Sequence, residues 1–501
     1  MLAAAKLATP TVDWLAVAPE LALAGAAVLI VLLRALVRRS RLVYPAALCI
    51  AFAGVLVAGG LLVPQWNKVQ NHGAITTMAG MMRVDGFGVF LSGVVIVSTL
   101  LALLLSAAYL EREGLEGPEF LALMLLSATG MVAMTTANDL IAIFVALEVL
   151  SIPLYVLAAF DRRRLTSQEA GLKYFVLGAF SSAIFLYGIA LTYGATGTTS
   201  LTGIANFLAA NTVLDVGVLL AGFALLLVGL GFKVAAVPFH MWTPDAYQGA
   251  PTPVTAFMAS ATKAAAFAAL LRVFLVAFPL YRDDWQPAVW VLAALTLIVG
   301  SVAAVMQTDV KRMLAYSSIS HAGYVLIGLQ AGTARGREAA LVYLFIYAFM
   351  TIGAFGVVAL LGTRDDRHSI EEYRGLSARE PVLAGFLTFF LLAQAGVPLT
   401  GGFIAKLGVF AAAVDAGSYG LAIIGVLAAV IAAFFYLRVV FAMFTRPEGD
   451  AAAATPTLTA RPVDLGSAAV LAIAAAATLV IGVVPGTLLH LARDATFGRL
   501  F

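Results

Sequence analysis

Apolar residues in this chain fill long uninterrupted stretches, separated by short polar, glycine or proline punctuation. A hydrocarbon layer about 30 Å thick needs roughly 20 apolar residues per helix. On that scale the runs predict fourteen helices, centred near residues 25, 52, 97, 127, 150, 182, 225, 264, 297, 320, 350, 390, 432 and 478. The runs are too long for barrel strands and lack period-two alternation. The expected fold is therefore an all-α polytopic membrane protein. The longest polar stretches, Pro64 to Arg83, Gly362 to Pro381 and Thr445 to Asp464, read as loops, and nothing reads as a soluble domain. No clustered basic residues precede the first apolar run, which contains Glu20, so that run is expected to be a retained helix.

Composition agrees with the pattern. Of 501 residues 62% are hydrophobic and 11% charged, against about 25% charged in a soluble domain. A net charge of +3 provides no basic surface for nucleic acid. The single cysteine, Cys49, cannot form an intrachain disulfide, and without a CxxC pair neither an iron-sulfur cluster nor a structural zinc site is expected here. With neither a GxGxxG turn nor a GxxxxGK[ST] loop, the chain itself is not an ATP-driven pump or a dehydrogenase.

Loop charges orient the helices. If the first loop faces the cytoplasm, that side collects Arg34, Arg38, Arg39, Arg41, Arg112, Arg162, Arg163, Arg164, Lys311, Arg312, Arg364, Arg367, Arg374, Arg379, Arg438, Arg446 and Arg461. The other side holds about half as many: Lys6, Lys68, Arg83, Arg272, Arg282, Arg335, Arg337, Arg493 and Arg499. Positive charge collects on the inside, so both termini are expected outside, with an even number of helices.

Four basic residues remain, Lys173, Lys233, Lys263 and Lys406, all within apolar runs and all lysine. Arginine keeps its proton at any working pH, whereas a lysine deprived of water can release one near neutrality. Ionisable residues inside a membrane generally mark ion or proton paths. The competing reading, snorkelling or a static ion pair, fits Lys173 best because a loop is close. Glu148 is the one carboxylate deep in a span, roughly 12 Å in at 1.5 Å per residue. It should find a lysine partner and could act with it as a switch.

Two spans are interrupted. Leu230 to Thr262 contains Pro238, Pro244, Pro251 and Pro253, and Leu392 to Phe410 contains Pro398, Gly401 and Gly402. Proline removes a backbone donor and glycine loosens the turn, so helices 7 and 12 should break inside the membrane, each near a lysine. Such a pair, five helices apart, points to inverted five-helix repeats, helices 4 to 8 and 9 to 13. The expected division is 1–112 for helices 1 to 3, 113–280 and 281–446 for the repeats, and 447–501 for a loop and helix 14.

At these residues the chain resembles a known family. KVAAVPFHMWTPDAYQGAPTPV followed by Lys263, LAYSSISHAGY at Leu314 to Tyr324, and AGVPLTGGFIAK at Ala395 to Lys406 occur in the order found in antiporter-like subunits of respiratory complex I. They are most similar to the subunit N type of NADH-quinone oxidoreductase, from about residue 80 to 445. The resemblance implies a fourteen-helix proton-translocating subunit of a bacterial plasma membrane complex. It assigns Glu148 to the helix 5 glutamate, Lys233 to the lysine before the break in helix 7, and Lys263 to the helix 8 lysine. Lys173 becomes the helix 6 lysine and Lys406 the ionisable group of helix 12, where larger relatives carry glutamate. His240 and His321 add imidazoles that titrate near neutral pH. His240 is expected at the cytoplasmic access route or in the relay. His321, in a polar patch with Tyr316 and Ser317 to Ser320, is expected to bridge Lys263 to Lys406 through water. Asp245 and Tyr247 are expected to shape the break.

By the same resemblance, NADH, FMN, iron-sulfur clusters and a quinone belong to partner subunits, among them two larger antiporter-like sisters, and this chain binds no cofactor. Two other functions remain open. A subunit of a multisubunit cation/proton antiporter would want oxygen ligands for sodium, and Lys406 in place of a carboxylate speaks against it. A structural membrane subunit would hold its buried charges in static pairs.

Overall fold

The computed structural model describes residues 11–37, 42–361, 368–445 and 463–498. Among the described residues twelve helices are long and apolar enough to cross a membrane. Val310–Ala331 and the pair Pro381–Ala395 and Gly401–Asp415 complete the order. Along the chain helix 1 is Ala18–Leu36, helix 2 Val43–His72, helix 3 Gly86–Glu113, helix 4 Pro118–Thr136, helix 5 Leu140–Ala158 and helix 6 Leu165–Thr196. Helix 7 runs as Val216–Val234 and then Trp242–Gly249, helix 8 spans Thr252–Ala277, and helix 9 is Arg282–Val305. Helix 10 is Val310–Ala331, helix 11 Ala334–Leu360, helix 12 the split pair, helix 13 Tyr419–Phe444 and helix 14 Leu465–Val483. The chain is a multi-pass membrane protein, and fourteen helices in this order can be followed through the described residues. Arg38, Arg39, Arg41, Arg364, Arg367, Arg446, Arg461, Lys6 and Arg499 lie outside the described residues.

The expectation of a loop from Pro64 to Arg83 is overturned. Helix 2 continues through Pro64 to His72, and Ile75–Thr77 pairs antiparallel with Met82–Val84. Gln65 explains the continuation: its side chain is buried and donates to Leu15 and Ala16 carbonyls at 2.7 and 3.1 Å, tying this turn to the N-terminal segment. Two short helices, Leu201–Ala210 and Gly486–Asp494, lie between or after crossings and were not anticipated.

Helices 8 and 11 form the centre, each with 94% of its most apolar window buried. Helices 1, 2 and 14 are peripheral, and their outward faces carry exposed apolar residues such as Leu29, Leu56 and Val480. Exposed apolar side chains on a membrane protein match lipid or a neighbouring subunit, the solvents of that face.

Two sets of features recur along the chain. Asp139 caps helix 5, accepting from Ile141 N–H at 2.8 Å, and Asp309 caps helix 10, accepting from Arg312 N–H at 2.8 Å. Asp139 is bridged to Ser200 after helix 6, and Asp309 to Ser369 after helix 11. The bonds repeat in kind. Leu140 N–H meets Thr199 O at 2.9 Å and Leu201 N–H meets Asn138 O at 2.9 Å; Val310 N–H meets His368 O at 2.7 Å and Ile370 N–H meets Thr308 O at 2.8 Å.

Candidate functional site

Both breaks form where they were expected. Helix 7 stops as Ala235 enters the left-handed region at φ 63°, and helix 12 is interrupted between Gly396 at φ 94° and Leu399 at φ 67°. Pro238 and Pro398 are exposed within the interruptions, while Gly401 and Gly402 restart helix 12. Each break frees carbonyls, and named donors satisfy them. The Trp242 indole donates to Phe232 O at 2.9 Å, and Lys406 Nζ donates to Ala395 O at 2.7 Å.

Lys233 lies in the last turn of helix 7, 3% exposed. Its Nζ donates to Ser151 Oγ on helix 5 at 2.8 Å and Tyr174 Oη on helix 6 at 2.9 Å. Tyr174 is held in turn by stacking on Trp242, with centroids 4.4 Å apart. A cavity of about 10 Å³, lined by Lys233, Ser151, Ser181 and Ser182 among others, adjoins this ammonium. That is about the minimum volume for one water molecule.

Glu148 departs from the expected pairing. Its Oε1 accepts from Ser182 Oγ at 2.5 Å, and the side chain makes no ion pair among the described residues. It is only half-buried, flanked on helix 5 by exposed Val145, Val149 and Ile152. The carboxylate therefore sits on an outward face, one serine from the cavity beside Lys233, rather than against a lysine.

Lys263 follows a widened π turn at Met258–Thr262 in helix 8. Its Nζ donates to Ser318 O at 2.5 Å and Ser318 Oγ at 2.6 Å on helix 10, and lies 5.6 Å from the Tyr347 ring centroid. Tyr347 Oη donates to the same Ser318 hydroxyl at 2.8 Å. One turn along helix 10, His321 packs on Tyr347 with centroids 4.8 Å apart. On its other side stands Tyr324, at 6.1 Å from His321 and with Lys406 Nζ 5.1 Å from its own ring centroid. The order Lys263, Tyr347, His321, Tyr324, Lys406 is thus continuous, and every member is buried.

The remaining candidates lie apart. Lys173 does not join the row: 43% of its side chain is exposed, and it pairs with Glu169 at 2.5 Å and Asp245 at 2.8 Å. Asp245 also binds Arg312 at 2.6 Å. This cluster borders a polar cavity of about 240 Å³ lined by Arg164, Gln248, Asp309 and His368. His240, half-buried beyond the helix 7 break, lies beside Tyr316 with centroids 6.5 Å apart, and among the described residues its Nδ1 has no hydrogen-bond partner. Tyr316 faces His240 and is not among the rings around His321. Among the described residues no cluster of three or more His, Cys, Asp or Glu side chains could hold a metal ion.

The expectation that the buried bases are all lysine fails at Arg272. It was assigned to a loop, yet it is 1% exposed and grips Asp85, itself fully buried, with two bonds of 2.7 and 2.8 Å. Phe87 and Phe497 flank the guanidinium at 5.2 and 5.5 Å. Lys311, also counted as a loop residue, is 1% exposed and donates to Ala250 O at 2.9 Å. Sequence reading also missed Ser151, Tyr174, Ser182, Tyr343, Tyr347, Gln394 and Tyr436, while Ser318 lies in the polar patch it had marked around His321. Hydroxyls and amides are tolerated in apolar helices, so nothing local marks them. Arg272 did carry a signal, an arginine with apolar residues on both sides.

A family profile described as "NADH:quinone oxidoreductase/Mrp antiporter, TM" matches residues 137–432. NADH-quinone oxidoreductase subunit N from Mycobacterium tuberculosis H37Rv is 44% identical, over 98% of this chain and 99% of its own. A chain of respiratory complex I from Thermus thermophilus is 36% identical with a TM-score of 0.79, covering 95% of this chain and 99% of that one. A chain of the Mrp complex from Dietzia sp. shares the fold at a TM-score of 0.83 but only 23% identity, over 96% of this chain and 97% of that one. The chain therefore belongs to the NADH:quinone oxidoreductase/Mrp antiporter transmembrane family, and within it to the subunit N branch.

Proposed function

We propose that this chain is a proton-translocating subunit in the membrane arm of an NADH-quinone oxidoreductase. Protons move along a row from Lys233 to Lys263, His321 and Lys406, and Glu148 gates it from the outward face of helix 5. The observation that carries this reading is the state of the three buried lysines. Each donates only to hydroxyls, phenols or carbonyls, with no carboxylate in ion-pair contact among the described residues. A permanent ammonium in a dry interior is costly unless paired. Groups left so are suited to passing a proton between neutral and charged forms, and a static structural role would call for ion pairs. A sodium path would call for an oxygen cage, which these amines do not provide.

In this reading Lys173, His240 and Tyr316 serve the access route near the 240 Å³ polar cavity. Helices 4 to 8 and 9 to 13 are the two inverted repeats, with boundaries at 113–280 and 281–446, and the paired caps at Asp139 and Asp309 support that division. The protein sits in the bacterial inner membrane with both termini outside. NADH, FMN, iron-sulfur clusters and quinone belong to the partner subunits, so this chain contributes translocation and no redox chemistry.

Lys263→Ala and Glu148→Ala in the intact complex test the reading. Each is expected to cut proton pumping and coupled quinone reduction strongly while the complex still assembles. Normal pumping by both variants would sink the proton row.

A further inference from the structure

His321 is held at both ring nitrogens by phenols from different helices. Nδ1 lies 2.8 Å from Tyr343 Oη on helix 11, and Nε2 lies 3.2 Å from Tyr436 Oη on helix 13. The two phenols are not equivalent. Among the described residues Tyr343 Oη has no other hydrogen-bond partner. Tyr436 Oη also meets Gln394 Oε1 at 3.1 Å and Ser317 Oγ. The orientation of that amide is fixed, because Gln394 Nε2 donates to Met350 O at 3.3 Å.

These partners determine the proton positions. Tyr343 can satisfy its O–H only by donating to Nδ1. A neutral imidazole accepts at one nitrogen and donates at the other. Nε2 must then carry the hydrogen and donate to Tyr436 Oη, whose own proton goes to Gln394 Oε1. Every proton in the cluster has an acceptor in this arrangement. The opposite tautomer would leave the Tyr343 hydroxyl proton buried with none. Adding a proton to His321 leaves the Nε2 side unchanged and alters only the Nδ1 side, where Tyr343 must rotate from donor to acceptor.

We infer that Tyr436, backed by Gln394 and Ser317, is a positioning residue that pins His321 as its Nε2–H tautomer and confines its proton exchange to Nδ1. In that exchange a lysine ammonium, Lys263 or Lys406, loses a proton and becomes a neutral amine. The proton forms the new Nδ1–H bond and the imidazole becomes cationic; the reverse step restores both. The ionisable groups facing the ring are Tyr324 on its own helix, Tyr343 and Tyr347 on helix 11, Tyr436 on helix 13, Lys263 on helix 8 and Lys406 on helix 12. Of these the two lysines are the groups suited to trade a proton near neutrality.

The first half of the chain supports the arrangement. Counted from the capping residues Asp139 and Asp309, Ser151 and His321 occupy the same place, and counted back from Ser200 and Ser369, so do Tyr174 and Tyr343. Ser151 and Tyr174 hold the Lys233 ammonium as Tyr343 holds the imidazole. Each half thus has a helix 6 or helix 11 phenol against its proton carrier.

The inference rests on the proton-row reading, and the experiment separates the two. The intact complex, labelled with 15N-histidine, is prepared as wild type, Tyr436→Phe, Gln394→Leu and His321→Ala. The last variant identifies the His321 resonances by their loss. Ser301→Ala controls for loss of a buried hydroxyl, since Ser301 Oγ meets Ser320 Oγ at 3.0 Å on another face of helix 10. Wild type is expected to show the Nε2–H tautomer. Tyr436→Phe and Gln394→Leu are expected to populate Nδ1–H, and Tyr436→Phe to lower pumping about tenfold or more, as wrong tautomers do elsewhere. Ser301→Ala is expected to pump normally. A wild-type Nδ1–H tautomer, or a Tyr436→Phe complex unchanged in both tautomer and pumping, overturns the role of Tyr436. Normal pumping by His321→Ala would remove His321 from the row instead.

Discussion

At the scale of single residues, burial and pairing separate the bases into two kinds. Arg272 is paired twice to Asp85 and stacked between rings, so it is a fixed strut. Arg272→Met leaves the buried Asp85 carboxylate with Arg83, 3.9 Å away, as its counter-charge among the described residues and is expected to cost about 3 kcal/mol. Adding Asp85→Asn should recover part of that loss, because the neutral amide keeps the cap on Gly88 N–H without the charge. Thermal unfolding of the purified complex checks both, and an unshifted Tm for Arg272→Met would contradict the strut. Ahead of helix 1, the Asp13 carboxyl is held below its ordinary value of 3.8 by the Lys68 ammonium 2.7 Å away. A depressed carboxyl contributes stability above its unfolded value and loses it as pH falls through the lower folded one. The Tm difference between wild type and Lys68→Met should therefore be equal at pH 8 and pH 5 and shrink only below about 3.8. A difference that changes between pH 8 and pH 5 would point to another group.

At the scale of elements, the two broken helices were readable because proline and glycine act through the backbone itself. Pro238 and Pro398 mark the breaks without help from neighbours. The closeness of packing around them was not readable. A Cβ on Gly402 would lie 1.8 Å from Ala393 O, so the two halves of helix 12 touch backbone to backbone across the break. Gly402→Ala is expected to displace the break, disturb the Lys406 bond to Ala395 O and abolish pumping, with reduced assembly. Normal assembly and pumping would show that the break can open without loss. Helix 2 taught the opposite lesson. Pro64 and the polar residues after it looked like a loop, yet long-range bonds from Gln65 keep the turn helical. Propensity yields where a distant partner satisfies the backbone and side chains.

For the whole molecule, fourteen helices and the loop charges predict both termini on the outer side. Alkaline phosphatase fused after residue 498 should be active, and the same reporter inserted between Ala158 and Leu165 inactive; the reverse pattern would invert the topology. The all-helical membrane fold, the two breaks, the burial of the lysines at 233, 263 and 406 and the family were legible from sequence because each depends on local chemistry: apolar length, backbone-breaking residues and charges that lipid would not tolerate. The deeper assignments were not. Nearness to a loop left Lys173 open to either reading, and only the structure shows it reaching Asp245 at an open cavity while Lys263 is enclosed by helices 10 and 11. Arg272 looked like a loop residue until Asp85 closed on it from far along the chain. The sequence alone determined which groups are ionisable and where along the apolar runs each falls. Tertiary structure alone decided which are in ion pairs and which are held by hydroxyls, phenols and carbonyls instead, because pairing depends on neighbours contributed by other helices.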